Sequence, residues 1–341
     1  MQGYGKTVTL TDATKMEICP ACGNCAAYWE TLHDDRHGFP GHFAYYRCDS
    51  CGGVFHRENM NDEQMRRLYS EYYPRSSFST ADWQPYDWSP SFRSWLAGRS
   101  SAYMYVPKNV RVLDIGCGTG QSLGYHRNRG CSAHGTEMDQ NAQRIAEAWG
   151  LDIKLSALDV ASWGAGSFDY VTLDQVLEHN ADPAPLLQSI QQVLKPDGTL
   201  LLTTPNARSF TATRYGRNWI HWHPPYHCIL YTRASLNAVL KKAGFTVNWM
   251  RTVTPSSWLQ YQYLHGYFAV AEGERSRFWD PRVPKDFTKK ERRILWGSER
   301  LLRYHIFSVI ARTLDGCGVG DSLIVSARPD KKAQRQTGDI A

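Results

Sequence analysis

The sequence has no apolar run long enough to cross a bilayer, and its first twenty residues lack the apolar stretch of a secretory signal. A spanning helix is excluded, and a cytoplasmic location is the expectation. No collagen period or solenoid repeat runs through the chain. A strong charge of either sign is also missing: 39 Lys plus Arg against 33 Asp plus Glu leave a net +6. That excess permits an anionic substrate without demanding nucleic acid. With 42% hydrophobic and 21% charged residues, the chain is neither disordered nor a coiled coil. An even cysteine framework is lacking too. There are nine cysteines, and four of them form two Cys-x-x-Cys pairs. That pattern points to metal in a reducing compartment.

The pairs are Cys19-Pro-Ala-Cys22-Gly and Cys48-Asp-Ser-Cys51-Gly. Two such turns can aim four thiolates at one point, with a glycine relieving each turn after its second ligand. Four soft ligands make a closed tetrahedral zinc site. With no open position, the metal is read as structural. A redox dithiol needs one pair, not two matched ones. Cys25, His33, His37 and His56 are nearby, and surface or packing roles suit them better.

The 341 residues suggest about two domains. A zinc ribbon is expected over 1–60 and a helical linker over 61–105, with a short helix at Asp62–Tyr72 and a Ser-, Pro- and Trp-rich stretch at Arg75–Pro90. From Val110 short apolar runs alternate with amphipathic stretches, as in a parallel α/β sheet. Strands are predicted at Val110–Ile115, Ala133–Glu137, Ile153–Leu155, Tyr170–Asp174, Thr199–Thr203, Thr246–Thr252 and Leu323–Ser326. Helices are predicted at Gln121–Arg129, Gln140–Trp149, Pro183–Leu194 and Arg233–Ala243. The gap before the last strand, about 255–320, is too long for a hairpin and reads as an insertion with a helix around Glu291–Arg312. That helix has an apolar face fit to roof a pocket, to meet a second copy in an oligomer or to rest on a membrane surface. A polar tail occupies 331–341.

The strongest functional signal is Val110-Arg-Val-Leu-Asp114-Ile-Gly116-Cys117-Gly118-Thr-Gly120. A buried strand runs into a glycine turn that opens a helix, so the backbone can approach a ligand closely. No Gly-Lys-Ser/Thr follows, so it is not a P-loop. The spacing also departs from the Gly-x-Gly-x-x-Gly dinucleotide fingerprint. Glu137, about twenty residues on, is placed to accept both hydroxyls of a ribose.

At this point the chain resembles the class I S-adenosylmethionine-dependent methyltransferases. The resemblance covers about Val110–Val253 and closes with Leu323–Arg328. It rests on Val112-Leu-Asp-Ile-Gly-Cys-Gly-Thr-Gly120, Gly135-Thr-Glu137, Ser167-Phe-Asp-Tyr-Val171, Val176-Leu-Glu-His179, Leu194-Lys-Pro-Asp-Gly-Thr-Leu200 and Thr204-Pro-Asn206. The implied fold is α/β: a Rossmann-like seven-stranded methyltransferase sheet over 106–330, with the zinc ribbon in front and the helical insertion before the last strand. The implied cofactor is S-adenosylmethionine, leaving as S-adenosylhomocysteine. Gly116 and Gly118 would line its methionine part, Cys117 would contribute backbone, and Asp114 would organise the amino-acid end. Glu137 would hold the ribose and Met138 would lie against the adenine. Ala157, Leu158 and Asp159 would enclose the adenine. Asp174 and Gln175 would stand beside the reacting methyl. The family often has Asp where Ala157 stands, so Asp159 is the substitute expected to meet the adenine amine.

A zinc ribbon before such a domain is similar to bacterial sugar, glycan and natural-product methyltransferases. A small-molecule acceptor is therefore expected, a nucleotide-linked sugar among the options, with O-methylation favoured over C-methylation. The acceptor side should follow Pro205-Asn206. There Arg208, Arg214, Arg217 and Trp219 precede His221-Trp-His223-Pro-Pro-Tyr-His227. Removing a hydroxyl proton calls for a base, and histidine titrates near neutrality. His227 and His179 are the candidates, with His223 third; Glu178 and His179 also fit a loop-fixing role. The histidines of 221–227 lack a carboxylate partner in sequence, so no catalytic metal is expected, a three-histidine site being the alternative. Two rivals stand: an RNA methyltransferase whose ribbon docks RNA, and a non-catalytic cofactor-binding protein. Between Cys22 and Cys48 only Arg36 and Arg47 are basic, a poor footprint for RNA.

Overall fold

The computed structural model describes residues 16–330 except 59, 61 and 74–79. The start of the expected ribbon, part of the Ser/Pro-rich linker and the polar tail 331–341 are outside the described residues.

The described residues open with four short antiparallel strands, β1 (Glu17–Ile18), β2 (Cys25–Leu32), β3 (Phe43–Cys48) and β4 (Val54–His56). Each Cys-x-x-Cys pair closes a tight turn: the Gly23 N–H donates to Cys19 O at 2.9 Å, and the Gly52 N–H to Cys48 O at 2.7 Å. Both glycines have left-handed φ, +80° and +71°, which a side chain would strain. Helix α1 (Asp62–Arg67) runs into a π turn at Leu68–Tyr72, so the predicted helix is present but changes pitch midway. Helix α2 (Phe92–Leu96) and a 3-10 turn (Ala102–Tyr105) lead to the main sheet.

That sheet is built from β5 (Arg111–Ile115), α3 (Gln121–Arg127), β6 (Ser132–Thr136), α4 (Asn141–Trp149), β7 (Asp152–Lys154), α5 (Val160–Trp163), β8 (Phe168–Asp174), α6 (Pro183–Val193) and β9 (Leu194–Pro205). Next come α7 (Phe210–Tyr215), β10 (Ile229–Leu230), α8 (Arg233–Lys242), β11 (Phe245–Val253), α9 (Ser256–Phe268), α10 (Lys289–Arg303), α11 (Ile306–Gly316) and β12 (Ser322–Pro329). The order is β11-β12-β9-β8-β5-β6-β7. Strands β9, β8, β5, β6 and β7 pair in parallel; β12 is antiparallel to both its neighbours. The apolar runs seen in the sequence are the central strands: Val112, Leu113, Val171, Leu173, Leu200 and Leu202 are buried. The strand order reverses between β5 and β8, where open α/β sheets bind ligands at the strands' carboxyl ends.

The insertion differs from the single helix predicted around Glu291–Arg312. The chain breaks after Tyr304, where His305 is left-handed at φ +60°, and α10 and α11 fold against α9. The aromatic stretch of Trp258–Phe268 is α9 itself. Leu259, Phe307 and Ala311 form the seam of this three-helix unit. Among the described residues, no helix is long and apolar enough to cross a membrane.

Strand β10 joins the two sheets. It pairs antiparallel with β4 (Ile229 with Phe55, Leu230 with Val54), and the next residue, Tyr231, bridges to Asn206 at the end of β9. Thr232 Oγ1 donates to Cys51 O at 2.6 Å. One apolar core accordingly contains Ala26, Tyr46 and Phe55 of the ribbon together with Leu236, Val239 and Leu240 of α8. Truncating the fully buried Phe55 to Ala should cost about 3–5 kcal/mol. Because the core is shared, ribbon and main sheet are expected to unfold together. Denaturant titrations followed by tryptophan fluorescence and by far-UV circular dichroism should coincide, at a lower midpoint in the variant. Two separated transitions would contradict the shared core.

Candidate functional site

Two groups of side chains stand at or beside the carboxyl ends of β5 and β8, and a third lies in the ribbon. The first surrounds the glycine turn between β5 and α3. Gly116 has φ +68°, and a Cβ there would come within 2.7 Å of Val176 Cγ2, so both backbone and space require glycine. The N–H groups of Gly116 and Cys117 donate to Thr136 O at 2.8 and 3.1 Å. Glu137 is buried behind the turn. Its Oε2 accepts the Gly118 N–H at 2.8 Å, and its Oε1 accepts those of Met138 and Asp139 at 2.8 and 3.1 Å.

Beside the turn is a cleft of about 250 Å³. Asp114, Gly116, Cys117, Gly118 and Asp174 line it, five of the residues expected from sequence. Asp114 accepts hydrogen bonds from Thr172 Oγ1 at 2.6 Å and from Ser122 Oγ, and burial pushes its carboxyl up to about 7. Asp174 accepts from Thr203 Oγ1 and is likewise raised by burial. Two carboxyls raised by burial suit a cationic ligand, whose charge would favour their ionised form.

The other expected residues sit around this cleft in different ways. Gly120 begins α3 as its N-terminal cap, and Met138 is exposed. Gln175, left-handed at φ +56°, donates from Nε2 to Ser322 Oγ at 3.1 Å. Ala157, Leu158 and Asp159 follow β7, outside the cleft lining. Asp159 caps α5, accepting from Ala161 N at 3.1 Å and Ser162 Oγ at 2.6 Å. Sequence reasoning missed Tyr86 and Tyr103, which stack at 5.0 Å and close the cleft from the linker. The linker is tied down there: Trp83 Nε1 donates to Thr119 O at 2.7 Å and the Tyr86 N–H to Gln121 O at 3.1 Å. The aromatic residues inside a Ser/Pro-rich stretch were the available signal.

The second group is the histidine cluster. The 3-10 turn Leu177–His179 follows β8, and the irregular segment 219–228 comes against it. His179 Nδ1 donates to Tyr226 O at 2.8 Å, and His227 Nδ1 to His221 O at 2.7 Å. A carbonyl can only accept, so each ring holds its proton on Nδ1 and, when neutral, carries its lone pair on Nε2. The two ring centroids are 4.7 Å apart at 85°, and His223 is 5.2 Å from His227. Burial holds His223 and His227 well below the ordinary histidine range, so both are neutral near pH 7. Glu178, which the sequence did not connect with residues 221–227, is here: one ligating atom each of Glu178, His179 and His227 lies within 4.8 Å of the others. The tryptophans and Tyr226 are not a stacking platform. Trp219, Trp222 and Tyr226 are buried in the core between ribbon and sheet. Arg208, Arg214 and Arg217 are exposed.

The third group is Cys19, Cys22, Cys48 and Cys51, whose sulfurs all lie within 4.8 Å of one another. Cys19 and Cys51 are 3.6 Å apart and Cys22 and Cys48 3.5 Å, far beyond a disulfide bond. Four thiolates about 2.3 Å from a tetrahedral ion stand roughly 3.8 Å apart, so the cluster fits zinc.

Residues 62–248 match the methyltransferase domain family. Over 107 residues the chain is 33% identical to a ubiquinone biosynthesis O-methyltransferase of Xanthomonas axonopodis pv. citri, covering 29% of this chain and 45% of that protein. A protein of the same name from Ralstonia nicotianae is 29% identical over 119 residues, covering 32% and 50%. The chain thus spans about half the length of the curated relatives it matches. Among solved structures, the [4+2]-cyclase SpnF is 19% identical with a TM-score of 0.46, covering 80% of this chain and 98% of that one. A Burkholderia thailandensis 1,6-didemethyltoxoflavin-N1-methyltransferase is 14% identical with a TM-score of 0.43, covering 85% and 96%. At such scores the structural likeness says nothing of substrate. The family match spans more than half of the chain, and it falls on the sheet and glycine turn described above. The protein belongs to the methyltransferase domain family, as a class I S-adenosylmethionine-dependent methyltransferase.

Proposed function

We propose that the protein transfers the methyl group of S-adenosylmethionine to a hydroxyl of a small polar acceptor, and that a histidine of the cluster His179, His223 and His227 takes the acceptor's proton. The observation that carries this reading is the juxtaposition of a glycine-turn cleft holding two raised carboxyls with the neutral imidazoles of His223 and His227, in the segment packed against the turn after β8. When bound, S-adenosylmethionine supplies an electrophilic methyl on a sulfonium. Asp114 and Asp174 would favour its positive charge, Glu137 would meet the ribose, and Met138 with Ala157, Leu158 and Asp159 would border the adenine. Gln175 would stand beside the reacting end. The rest of the task is positioning: the acceptor oxygen must lie on the sulfur–methyl axis, and much of the rate gain comes from holding it there. The names of the curated relatives, O-methyltransferases, support oxygen as the methylated atom. The exposed Arg208, Arg214 and Arg217 suit an anionic acceptor such as a nucleotide-linked sugar.

We assign a structural zinc to Cys19, Cys22, Cys48 and Cys51. All nine cysteines are free thiols, in keeping with a reducing cytoplasm. The RNA reading is weaker: Arg36 is buried, and Arg47 lies over the Trp29 ring at 4.6 Å. The intact glycine turn argues against a non-catalytic scaffold.

Methyl-tritiated S-adenosylmethionine should label a pool of nucleotide-linked sugars and small hydroxylated metabolites. Label in total RNA instead would overturn the acceptor assignment. His227→Ala should lower turnover by about a hundred- to ten-thousand-fold, while calorimetry shows unchanged affinity for S-adenosylhomocysteine. Unchanged turnover would remove His227 from the chemistry.

Asp114 makes cofactor binding pH-dependent. The bound cation lowers a carboxyl that stands near 7 in the free protein. Binding therefore releases a proton below that value, and affinity for S-adenosylmethionine should rise with pH up to about 7 and level off above it. Asp114→Asn should flatten the profile. An unaltered slope in that variant would exclude Asp114 as its source.

A further inference from the structure

The three-helix unit before β12 leaves much aromatic and aliphatic surface in water. Trp296 on α10 is 60% exposed and Tyr304 at its end 65%. Val309 on α11 is 60% exposed, with Ile306 and Ile310 beside it at helical spacing and also exposed. The inner sides of these helices are already in use. Ser298, Phe307 and Ala311 are buried, and Leu301 and Leu302 pack into the seam with α9. Scattered apolar residues on a surface need no explanation, but a cluster of this kind marks an interaction site.

The exposed side of α10 is also basic. Lys289, Arg292, Arg293, Arg300 and Arg303 fall on the helical face centred on Trp296, and all five are exposed. Glu299 is the one acidic residue of that face. Glu291 is turned away and caps the helix, accepting the Thr288 N–H at 2.7 Å. The Arg300 guanidinium lies 4.6 Å from the Trp296 ring centre and 5.7 Å from that of Tyr304, so cations and rings share one strip. The strip passes through Tyr304 and His305 into the exposed aliphatic side of α11. Helix α2 packs against α11, and Arg312 Nη1 donates to Trp95 O there at 2.6 Å. It adds Phe92 and Trp95, both exposed, with ring centres 5.5 Å apart.

We infer that α10, α11 and α2 form a docking face for an anionic phospholipid bilayer, on which the protein lies without spanning it. Tryptophan and tyrosine settle at the headgroup level, aliphatic side chains reach the acyl boundary, and lysine and arginine meet the negative headgroups. A nucleic acid would use the cations and the rings but leave Ile306, Val309 and Ile310 in water. A second copy related by a twofold axis would set two basic faces against each other. The anionic bilayer uses both the charge and the aliphatic side chains. This inference stands apart from the methyl-transfer reading, since none of these residues belongs to the cleft or the histidine cluster.

Sedimentation of the full-length protein with lipid vesicles tests the face without using activity. The protein should pellet with vesicles of phosphatidylcholine and phosphatidylglycerol in equal parts, far less with phosphatidylcholine alone, and less as salt is added. Arg293→Gln with Arg300→Gln should weaken binding about fivefold for each cation removed. Val309→Glu with Ile310→Glu should weaken it by about tenfold or more for each side chain. Unchanged S-adenosylhomocysteine binding and far-UV circular dichroism show that the variants are folded. Four results would overturn the proposal: no pelleting of the wild type; equal pelleting with phosphatidylcholine alone; binding to mixed vesicles, or to an RNA oligonucleotide in their place, that the arginine pair weakens and the Val309–Ile310 pair leaves intact; or a dimer in analytical ultracentrifugation that the Val309–Ile310 pair dissociates.

Discussion

Segment 219–228 is irregular and largely buried, so its carbonyls cannot turn to water and must find donors in the protein. Side chains provide them. Arg36 donates to Ile220 O, His227 to His221 O, His56 to Pro225 O, His179 to Tyr226 O and Tyr45 to His227 O. Three of the five donors come from the cysteine-bearing ribbon. The other two are the histidines of the candidate site. One requirement of buried backbone thus attaches the ribbon, fixes the path of segment 219–228 and sets the proton position on both rings.

This gives the ribbon a mechanical purpose. Its four-cysteine cluster is at the end remote in sequence from the sheet, yet Thr232 at the start of α8 bonds to Cys51 O, and β4 takes β10 as its edge partner. Strand β10 covers the β4 edge of the ribbon, and ribbon side chains hold segment 219–228 in place. Direct docking of RNA is not needed to explain its presence. The cofactor cleft is assembled independently, from the β5 turn, the end of β6 and the linker aromatics Tyr86 and Tyr103.

Much of the main sheet was legible in the sequence because it depends on local pattern. Apolar runs such as Val112–Ile115 and the glycine turn after them carry their own signal, and the strands fall close to where the runs predict. The two knuckles were legible for the same reason: spacing alone brings the sulfurs of each pair together. What could not be read depends on long-range pairing. Two residues, Ile229 and Leu230, carry no strand pattern, and only Phe55 and Val54 across from them make them a strand. Glu178 and His227 are 49 positions apart, so nothing in the sequence joined the carboxylate to the histidines. The aromatic stretch before α10 lacked a clear period because α9 buries more than one face, against α10, α11 and segment 219–222. The break at His305 arises from a left-handed residue that need not be glycine, which is hard to foresee.

The central claim is that backbone carbonyls hold His179 and His227 as Nδ1–H tautomers. Selective 15N labelling of histidine, with long-range proton–nitrogen correlation spectra, reads ring tautomers directly. The account predicts a protonated Nδ1 at both rings and an unprotonated Nε2 at His227 at neutral pH, with His227 still neutral at pH 6. An Nε2–H tautomer at either ring, or titration of His227 at the ordinary histidine value, would contradict it.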